Sequence, residues 1–338
     1  MIGVQSEAIT APAAEPAPVV EVRDLHVTIR RHRDGRDVRI VNGVSFRVYR
    51  GRTLGIVGES GCGKSTTSMA IPGLLPGKAR KAGEILFDGR NILAEPEAEL
   101  RKLRGRRIAM IFQDAMVALD PLFTVGDQLA EPLRGHLRLE GEALLARQIA
   151  LLEAVGISSP ETRLSQYPHE LSGGQLQRLM GAIAISCDPD LLIADEPTTA
   201  LDPTAQAAYL ELLERLSAEY GMTLVIVTHD LGVVARICQD VLVMYAGTAA
   251  EQGPVRALFD RPRHPYTRAL LNSLPLEDAD VEWLQTIEGQ PPDLADLPPG
   301  CPFAPRCPLV QQRCVERPPP VMSFETGQQS RCWRADEL

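Results

Sequence analysis

Two hydrophobic patterns meet near residue 123 of the chain. Before that point, short apolar-rich segments alternate with turn-forming residues such as Asp34-Gly35, a pattern that predicts strands. From about 123 to 186 apolar side chains recur at helical spacing, which predicts a group of helices. The predicted strands are 19–30, 38–48, 53–57, 83–87 and 106–112, and the helical stripe includes Leu144, Leu145, Ile149, Leu151, Leu152 and Val155.

Beyond residue 186 the pattern changes to an alternation of strand and helix. Such alternation predicts a parallel sheet with helices on its faces, so the fold class is α/β. The predicted strands are Leu191–Ala194, Thr223–Thr228 and Val241–Tyr245, and the predicted helices begin near Pro203 and after Asp230.

Composition sets the expected domain limits. Residues 1–18 are rich in Ala and Pro, which predicts a disordered tail, and residues 19–260 hold the strand and helix patterns of one large domain. Its helical subdomain is expected at about 115–186. Residues 261–338 are proline-rich and irregular, with 266–274 as the last clear helix, and are expected to form a small Cys-rich extension.

Charge and hydropathy exclude two classes of protein. The net charge of -9 argues against a broad nucleic-acid-binding face, which would be basic. No apolar run approaches the ~20 residues that span a bilayer, and the amino terminus lacks the basic start of a signal peptide. We therefore expect a cytosolic chain that would reach a membrane by docking onto other chains.

A phosphate-binding loop is predicted at Gly58–Thr66, which reads Gly-Glu-Ser-Gly-Cys-Gly-Lys-Ser-Thr after the strand Thr53–Val57. The glycines let backbone N–H groups surround a phosphate, Lys64 supplies a charge for the outer phosphates, and Ser65 supplies a hydroxyl for Mg²⁺. The residues expected to contact ATP here are Gly58, Ser60, Gly61, Gly63, Lys64, Ser65 and Thr66.

Two adjacent carboxylates end the strand 191–194. Asp195 is expected to hold Mg²⁺ through water, and Glu196, which faces the other side of the strand end, to polarise the attacking water. Gln113 follows a predicted strand and offers a neutral oxygen ligand for Mg²⁺. Phosphoryl transfer requires mainly positioning and charge stabilisation, which these groups can supply.

A second anion site is predicted at Leu171–Gln175, which reads Leu-Ser-Gly-Gly-Gln before a helix expected at 177–186. This segment resembles the signature of ATP-binding cassette (ABC) proteins, and together with the phosphate loop and the acid pair it identifies an ABC cassette of the P-loop NTPase class, with a β-rich ATP-binding core and a helical subdomain. The resemblance implies an ATPase in which His229 contacts the outermost phosphate. It also implies that two cassettes pack head to tail, each ATP lying between the phosphate loop of one chain and Ser172, Gly173, Gly174 and Gln175 of the other, with Asp202 at the interface.

Further segments are similar to the ATPases of dipeptide and oligopeptide importers. They include Tyr167–Ser172, Ala194–Asp202 and Arg263–Thr267, and the similarity covers the chain from about residue 20. It implies a second, related ATPase chain, two permease chains and an extracytoplasmic solute-binding protein, with this chain at the cytoplasmic face of the inner membrane. The alternatives are a nickel importer or another solute importer with the same cassette, a soluble non-transport ABC ATPase, and a redox carrier or sensor in which ATP binding is regulatory.

Four cysteines, Cys301, Cys307, Cys314 and Cys332, crowd the extension, with five, six and seventeen residues between successive members. In a reducing compartment such a cluster suggests a metal site. Zinc sites typically contain a closer Cys pair, and the resemblance to importer ATPases with this spacing implies a [4Fe–4S] cluster, with zinc or structural thiols as alternatives.

One feature departs from the family pattern. ABC cassettes usually stack adenine on an aromatic side chain near the end of the first strand, but residues 19–45 contain no Phe, Tyr or Trp. Ile29, or the cluster Arg30-Arg31-His32, is the predicted substitute, through apolar contact or cation–π stacking.

Overall fold

The structure is a computed structural model. It describes residues 17–31, 34–199, 201–274 and 286–338. The predicted tail lies outside the described residues except for its last two positions, and Pro18 begins the first strand.

Within these ranges the secondary structure follows the predicted order. The strands are β1 Pro18–Arg30, β2 Asp37–Tyr49, β3 Thr53–Val57, β4 Arg80–Phe87, β5 Arg90–Asn91, β6 Ile108–Ile111, β7 Leu191–Asp195, β8 Thr223–Thr228, β9 Asp240–Tyr245, β10 Thr248–Pro254, β11 Met322–Ser323 and β12 Gln329–Ser330. The α-helices are α1 Lys64–Ala70, α2 Glu97–Leu103, α3 Ala115–Ala118, α4 Val125–Leu137, α5 Gly141–Ala154, α6 Pro160–Leu164, α7 Gly173–Ile185, α8 Pro203–Tyr220, α9 Leu231–Ile237, α10 Val255–Asp260, α11 Pro265–Asn272 and α12 Gln312–Glu316. Short 3-10 turns occur at Pro168–Glu170 and Ala304–Arg306.

The larger sheet has a parallel centre. In the described residues, its strands run in the order β11-β12-β10-β9-β3-β8-β7-β6, and the neighbours from β9 to β6 pair in parallel. β3, β7 and β8 are buried at every position, as expected for parallel strands covered on both faces. The carboxyl ends of β3, β6, β7 and β8 therefore share one edge, which carries the loops discussed below.

Two clusters of buried apolar side chains cover the two faces of this sheet. Successive residues of a strand point to opposite faces, so one strand contributes to both clusters. Leu224 and Ile226 of β8 pack with α4, α5, α7, α8 and α9. Val225 and Val227 pack against the smaller antiparallel sheet, whose order is β2-β1-β4-β5. β3, the strand that leads into the phosphate-binding loop, is packed in the same way: Val57 belongs to the first cluster, and Leu54 and Ile56 belong to the second.

The helical subdomain is stabilised at its helix starts by side-chain caps. Thr124 and Asp127 form a capping box at α4, and Ser172 and Gln175 form another at α7. The second box explains why α7 begins at Gly173, four residues before the predicted start at Gln177.

The C-terminal extension is attached by buried polar side chains that we call the docking cluster: Glu251, Arg263, His264, Gln328 and Ser330. Glu251 Oε1 accepts from the Arg263 backbone N–H at 2.8 Å and from Gln328 Nε2 at 3.3 Å. The Ser330 hydroxyl donates to the Arg263 carbonyl at 2.9 Å. Beside it, β12 pairs with β10, so the extension continues the larger sheet.

Candidate nucleotide site

The phosphate-binding loop turns β3 into α1 through glycines that tolerate no side chain. Gly58 has a φ of 151°, and a Cβ on it would lie 2.2 Å from the Met244 carbonyl oxygen. Gly63 has a φ of 102°, and its Cβ would lie 2.7 Å from the Ile40 carbonyl oxygen. The close approach of two other backbone segments therefore requires glycine at both positions.

Lys64 is buried beneath this loop. Its Nζ donates to the Gly58 carbonyl at 2.8 Å and to the Glu59 carbonyl at 3.2 Å. The ammonium thus holds the loop in its curved shape. Ser60 and Gly61 line the adjoining cavity, and Thr66 lies in the first turn of α1.

Asp195 ends β7 directly below the loop. The Ser65 hydroxyl donates to Asp195 Oδ1 at 3.1 Å. Burial raises the pKa of Asp195, and the neighbouring charge of Glu196 raises it further. A bound cation beside Ser65 and Asp195 would relieve this unfavourable burial of negative charge.

The other predicted catalytic residues, Lys64, Gln113 and His229, lie around the carboxylate of Glu196. Its Oε1 lies 3.8 Å from His229 Nδ1 and 4.0 Å from Lys64 Nζ. Its Oε2 accepts from Gln113 Nε2 at 3.0 Å and from Thr199 Oγ1 at 3.1 Å. We call Lys64, Ser65, Gln113, Asp195, Glu196, Thr199 and His229 the nucleotide cluster. Thr199 was not among the site residues predicted from the sequence, although it lies in the same motif as the acid pair.

The signature residues form a separate group. Ser172 N–H donates to Gln175 Oε1 at 3.0 Å, and Gln175 N–H donates to Ser172 Oγ at 3.3 Å. A Cβ on Gly173 or Gly174 would meet nothing within 4 Å, so this surface is open. In the described part of the chain, no hydrogen bond or ion pair joins the signature to the phosphate loop.

Asp202 caps α8 by accepting from the N–H groups of Thr204 and Ala205 at 3.1 and 3.0 Å. Its neighbour Ala200 lies outside the described residues. The carboxylate of Asp202 thus stabilises the start of α8.

A cavity of about 760 Å³ adjoins the phosphate loop. Ile29 and Arg31, two of the predicted substitutes for the missing aromatic residue, line it, whereas His32 lies outside the described residues. Arg31 binds Asp34 at 2.5 Å and Asp293 at 2.9 Å. Residues 290–294 of the extension also line this cavity, which was not predicted from the sequence.

The four cysteines of the extension line one small cavity, of about 20 Å³, together with Phe303 and Trp333. Burial, together with the smaller effect of the neighbouring cysteines, raises the pKa of Cys301 and Cys332 to about 11. Among the described residues, no group of three or more His, Cys, Asp or Glu side chains has the geometry of a metal-ion site. The donor chemistry fits zinc or an iron–sulfur cluster, whereas the arrangement of the sulfurs does not form a single-ion site.

No helix in the described ranges is long and apolar enough to cross a bilayer.

Comparison with known proteins places the chain in one family. Residues 41–199 match the family model described as ABC transporter, and residues 250–314 match that described as oligopeptide/dipeptide transporter, C-terminal region. The chain is 47% identical to the dipeptide transport ATP-binding protein DppD of Bacillus subtilis, over 94% of this chain and 95% of that protein. It is 46% identical to the oligopeptide transport ATP-binding protein OppD of Escherichia coli, over 98% of each chain.

Among solved structures, the ATP-binding cassette MJ0796, in a dimeric post-hydrolysis state with ADP and Pi, is similar with a TM-score of 0.63 and 29% identity. The similarity covers 70% of this chain and 99% of that one. With the phosphate loop, the acid pair and the signature in place on this fold, the chain belongs to the ATP-binding proteins, the ATPases, of the ABC transporter family.

Proposed function

We propose that this chain is the ATP-hydrolysing, energy-coupling subunit of an importer for dipeptides or oligopeptides. The observation that carries the proposal is the presence in one chain of the nucleotide cluster and of a C-terminal region of the oligopeptide/dipeptide transporter type, residues 250–314. DppD of Bacillus subtilis and OppD of Escherichia coli, whose names state dipeptide and oligopeptide transport, match this chain over nearly their full length.

The nucleotide cluster supports a division of roles in hydrolysis. The phosphate loop and Lys64 would bind the outer phosphates, and Ser65, Gln113 and, through water, Asp195 would hold Mg²⁺. Mg²⁺ supplies charge neutralisation at the transferred phosphoryl group. Glu196 accepts the proton of the attacking water, and His229, at 3.8 Å from Glu196, positions that water at the outermost phosphate.

Gln113 is suited to a changing role because its amide can serve either group. Its Nε2 donates to Glu196 Oε2 at 3.0 Å. A movement of the loop after β6 would shift the amide between this carboxylate and the metal, and would connect the site to the neighbouring surface.

The open signature surface supports a composite site with a second ATPase chain. Ser172, Gly173 and Gly174 face solvent or are half-buried, as required for an anion site completed by another molecule. The partner's phosphate loop would place ATP against this turn, and Asp202 would lie across the interface.

An exposed apolar patch next to Gln113 supports docking onto permease chains. We call Phe112, Met116, Val117, Leu122 and Phe123 the permease patch. Val117 and Leu122 are each 80% exposed, and a group of exposed large apolar side chains within one short segment is typical of an interaction site. Docking here would hold the chain at the cytoplasmic face of the inner membrane.

Mass spectrometry of proteins that co-purify with the tagged chain from gently extracted membranes tests the proposal. We expect two permeases, a second ATPase and a solute-binding protein that retains peptide. The double variant V117D/L122D is expected to lose the permeases, whereas L145D, at a 49% exposed leucine elsewhere in the helical subdomain, retains them. Recovery of nucleic-acid or ribosomal partners in place of permeases would overturn the proposal.

We also propose that Cys301, Cys307, Cys314 and Cys332 hold a [4Fe–4S] cluster. The support is their convergence on one cavity and the Cys301 N–H donating to the Cys314 carbonyl at 2.7 Å, which joins two of the cysteine-bearing segments. The thiols would need to spread from the present cavity of about 20 Å³ to enclose a cluster. A bound cluster would cross-link a segment that has little regular structure of its own.

Anaerobic purification tests this assignment through iron, acid-labile sulfide and visible absorbance. We expect all three, and we expect their loss in C314S but not in the matched control C187S, whose buried cysteine lies in the cassette. Stoichiometric zinc without sulfide would favour the zinc alternative. Absence of both iron and zinc would indicate that the cysteines are structural thiols.

A further inference from the structure

The phosphate-binding loop contains an acid, Glu59, beside the site where a polyphosphate would bind. Its backbone N–H donates to the Tyr266 hydroxyl at 2.9 Å, and its carbonyl accepts from Lys64. An uncompensated carboxylate at this position would repel the phosphates. The loop therefore requires a cation dedicated to Glu59.

Arg306 of the extension is that cation. Its two terminal nitrogens bind the two Glu59 oxygens at 2.7 and 2.9 Å. The side chains of Arg306 and Glu59 are 5% and 24% exposed, and a bidentate arginine–carboxylate pair is both strong and geometrically specific. The two residues are 247 positions apart in the chain.

The same guanidinium also holds a segment that leads to the adjoining cavity. Arg306 Nε donates to the Glu288 carbonyl at 2.9 Å, and a terminal nitrogen donates to the Ile287 carbonyl at 3.2 Å. Residues 290–294, which come shortly after them in the chain, line the cavity together with Ile29. One side chain thus joins the phosphate loop to this part of the extension.

We propose that Arg306 is a positioning residue for nucleotide binding: it neutralises Glu59 within the phosphate loop, so that the loop can accept the phosphates. The inference rests on the proposed function, because it requires that ATP binds at this loop. It assigns part of the nucleotide site to the extension and does not depend on the metal content of the cysteines.

Titration calorimetry with Mg²⁺-ATP, in an E196Q background that prevents turnover, tests the proposal on the full chain. R306A is expected to weaken ATP binding about tenfold, because Glu59 is left anionic beside the phosphates. E59Q is expected to bind at least as tightly as the background, since the guanidinium is then free of its acid. The double variant E59Q/R306A is expected to lie within about threefold of E59Q.

The rescue separates positioning from a merely structural role. If Arg306 only held the extension folded, removing the charge of Glu59 would not restore affinity to R306A. R313A is the matched control, because Arg313 is an arginine of the same extension that packs over Trp333 and bonds to its carbonyl; it is expected to leave ATP affinity unchanged.

A conservative variant keeps the test decisive if R306A does not fold. R306K retains the charge but loses the bidentate geometry, and is expected to weaken binding about threefold, again rescued by E59Q. Wild-type affinity in the arginine variants, or losses that E59Q does not rescue, would overturn the proposal. If the E196Q protein without any further substitution failed to bind ATP, the ATPase assignment itself would be overturned.

Discussion

Two polar clusters, built from similar residues, differ in how fully their charges are compensated: the docking cluster is buried, whereas the nucleotide cluster includes the exposed Gln113 and His229. The nucleotide cluster holds two adjacent carboxylates, and its ammonium, Lys64, lies 4.0 Å from Glu196. The docking cluster holds one carboxylate, Glu251, among backbone and amide donors. Burial raises the pKa of Asp195 and raises that of Glu251 to about 7. The first cluster therefore favours an added cation, whereas the second is satisfied by a proton and connects two parts of the chain.

The largest effect is expected on ATP turnover, from a substitution of Glu196 in the nucleotide cluster. E196Q is expected to lower ATP turnover at least about 100-fold, because it removes the general base, while ATP binding persists. Phosphate release by the assembled transporter and ATP titration would measure the two effects. E142Q, at an exposed glutamate of α5, is the control; unchanged turnover in E196Q would contradict the assignment.

In the docking cluster, a substitution is expected to lower the stability of the fold. E251A is expected to lower the free energy of unfolding by about 3 kcal/mol, because it leaves the buried Arg263 N–H without an acceptor and opens a cavity. Chemical denaturation would measure the loss. E325A removes an exposed glutamate near the same cluster and should change stability little; equal losses in the two variants would show that burial of Glu251 is unimportant.

The pH dependence of stability should also come from the docking cluster. Because the folded-state pKa of Glu251 is about 7, its contribution is complete below pH about 4.5 and is lost as the pH rises through about 7. Burial lowers the pKa of His264 to about 4, so its contribution is complete above pH about 6.5 and is lost as the pH falls towards 4. The two contributions oppose each other between pH about 4.5 and 6.5.

The variant E251Q isolates the histidine. Its stability relative to wild type is expected to increase by about 2 kcal/mol between pH 5 and 8. Thermal unfolding across this range would measure the difference. A parallel pH profile for wild type and E251Q would show that Glu251 does not titrate in this window.

The smallest expected effect concerns Asp195. D195N is expected to stabilise the protein without ligand by about 1 kcal/mol, because it removes a buried charge next to Glu196. The same variant should lose the thermal stabilisation that Mg²⁺-ATP gives to wild type. D336N is an exposed control; a destabilised D195N would indicate that the Ser65 hydrogen bond outweighs the charge.

The sequence predicted much of the fold because buried parallel strands have a strong local pattern. All five strands expected before residue 123 are present, as β1, β2, β3, β4 and β6. The catalytic residues come together because Lys64, Gln113, Glu196 and His229 each follow a strand of one parallel sheet, as their motifs indicated; their roles remain predictions.

Features that depend on distant partners were not predicted. The periodicity included Leu145 in the apolar stripe, but Leu145 is 49% exposed and Gln148 is buried instead. Gln148 reaches inward because its amide donates to the Gly126 carbonyl of α4 at 2.6 Å. The pairing of Arg306 with Glu59 likewise has no local signal, since only the folded chain brings them together.

The pairing of β12 with β10 has a consequence for aggregation. Without the extension, the backbone of β10 would lie along an open border of the larger sheet, where another chain could add a strand. Beside Glu251 and Gln252 of β10, the border is instead formed by β11 and β12, each of which is only two residues long. A border this short offers few free N–H and C=O groups, so the extension protects the cassette from strand-to-strand association as well as contributing to its nucleotide cavity.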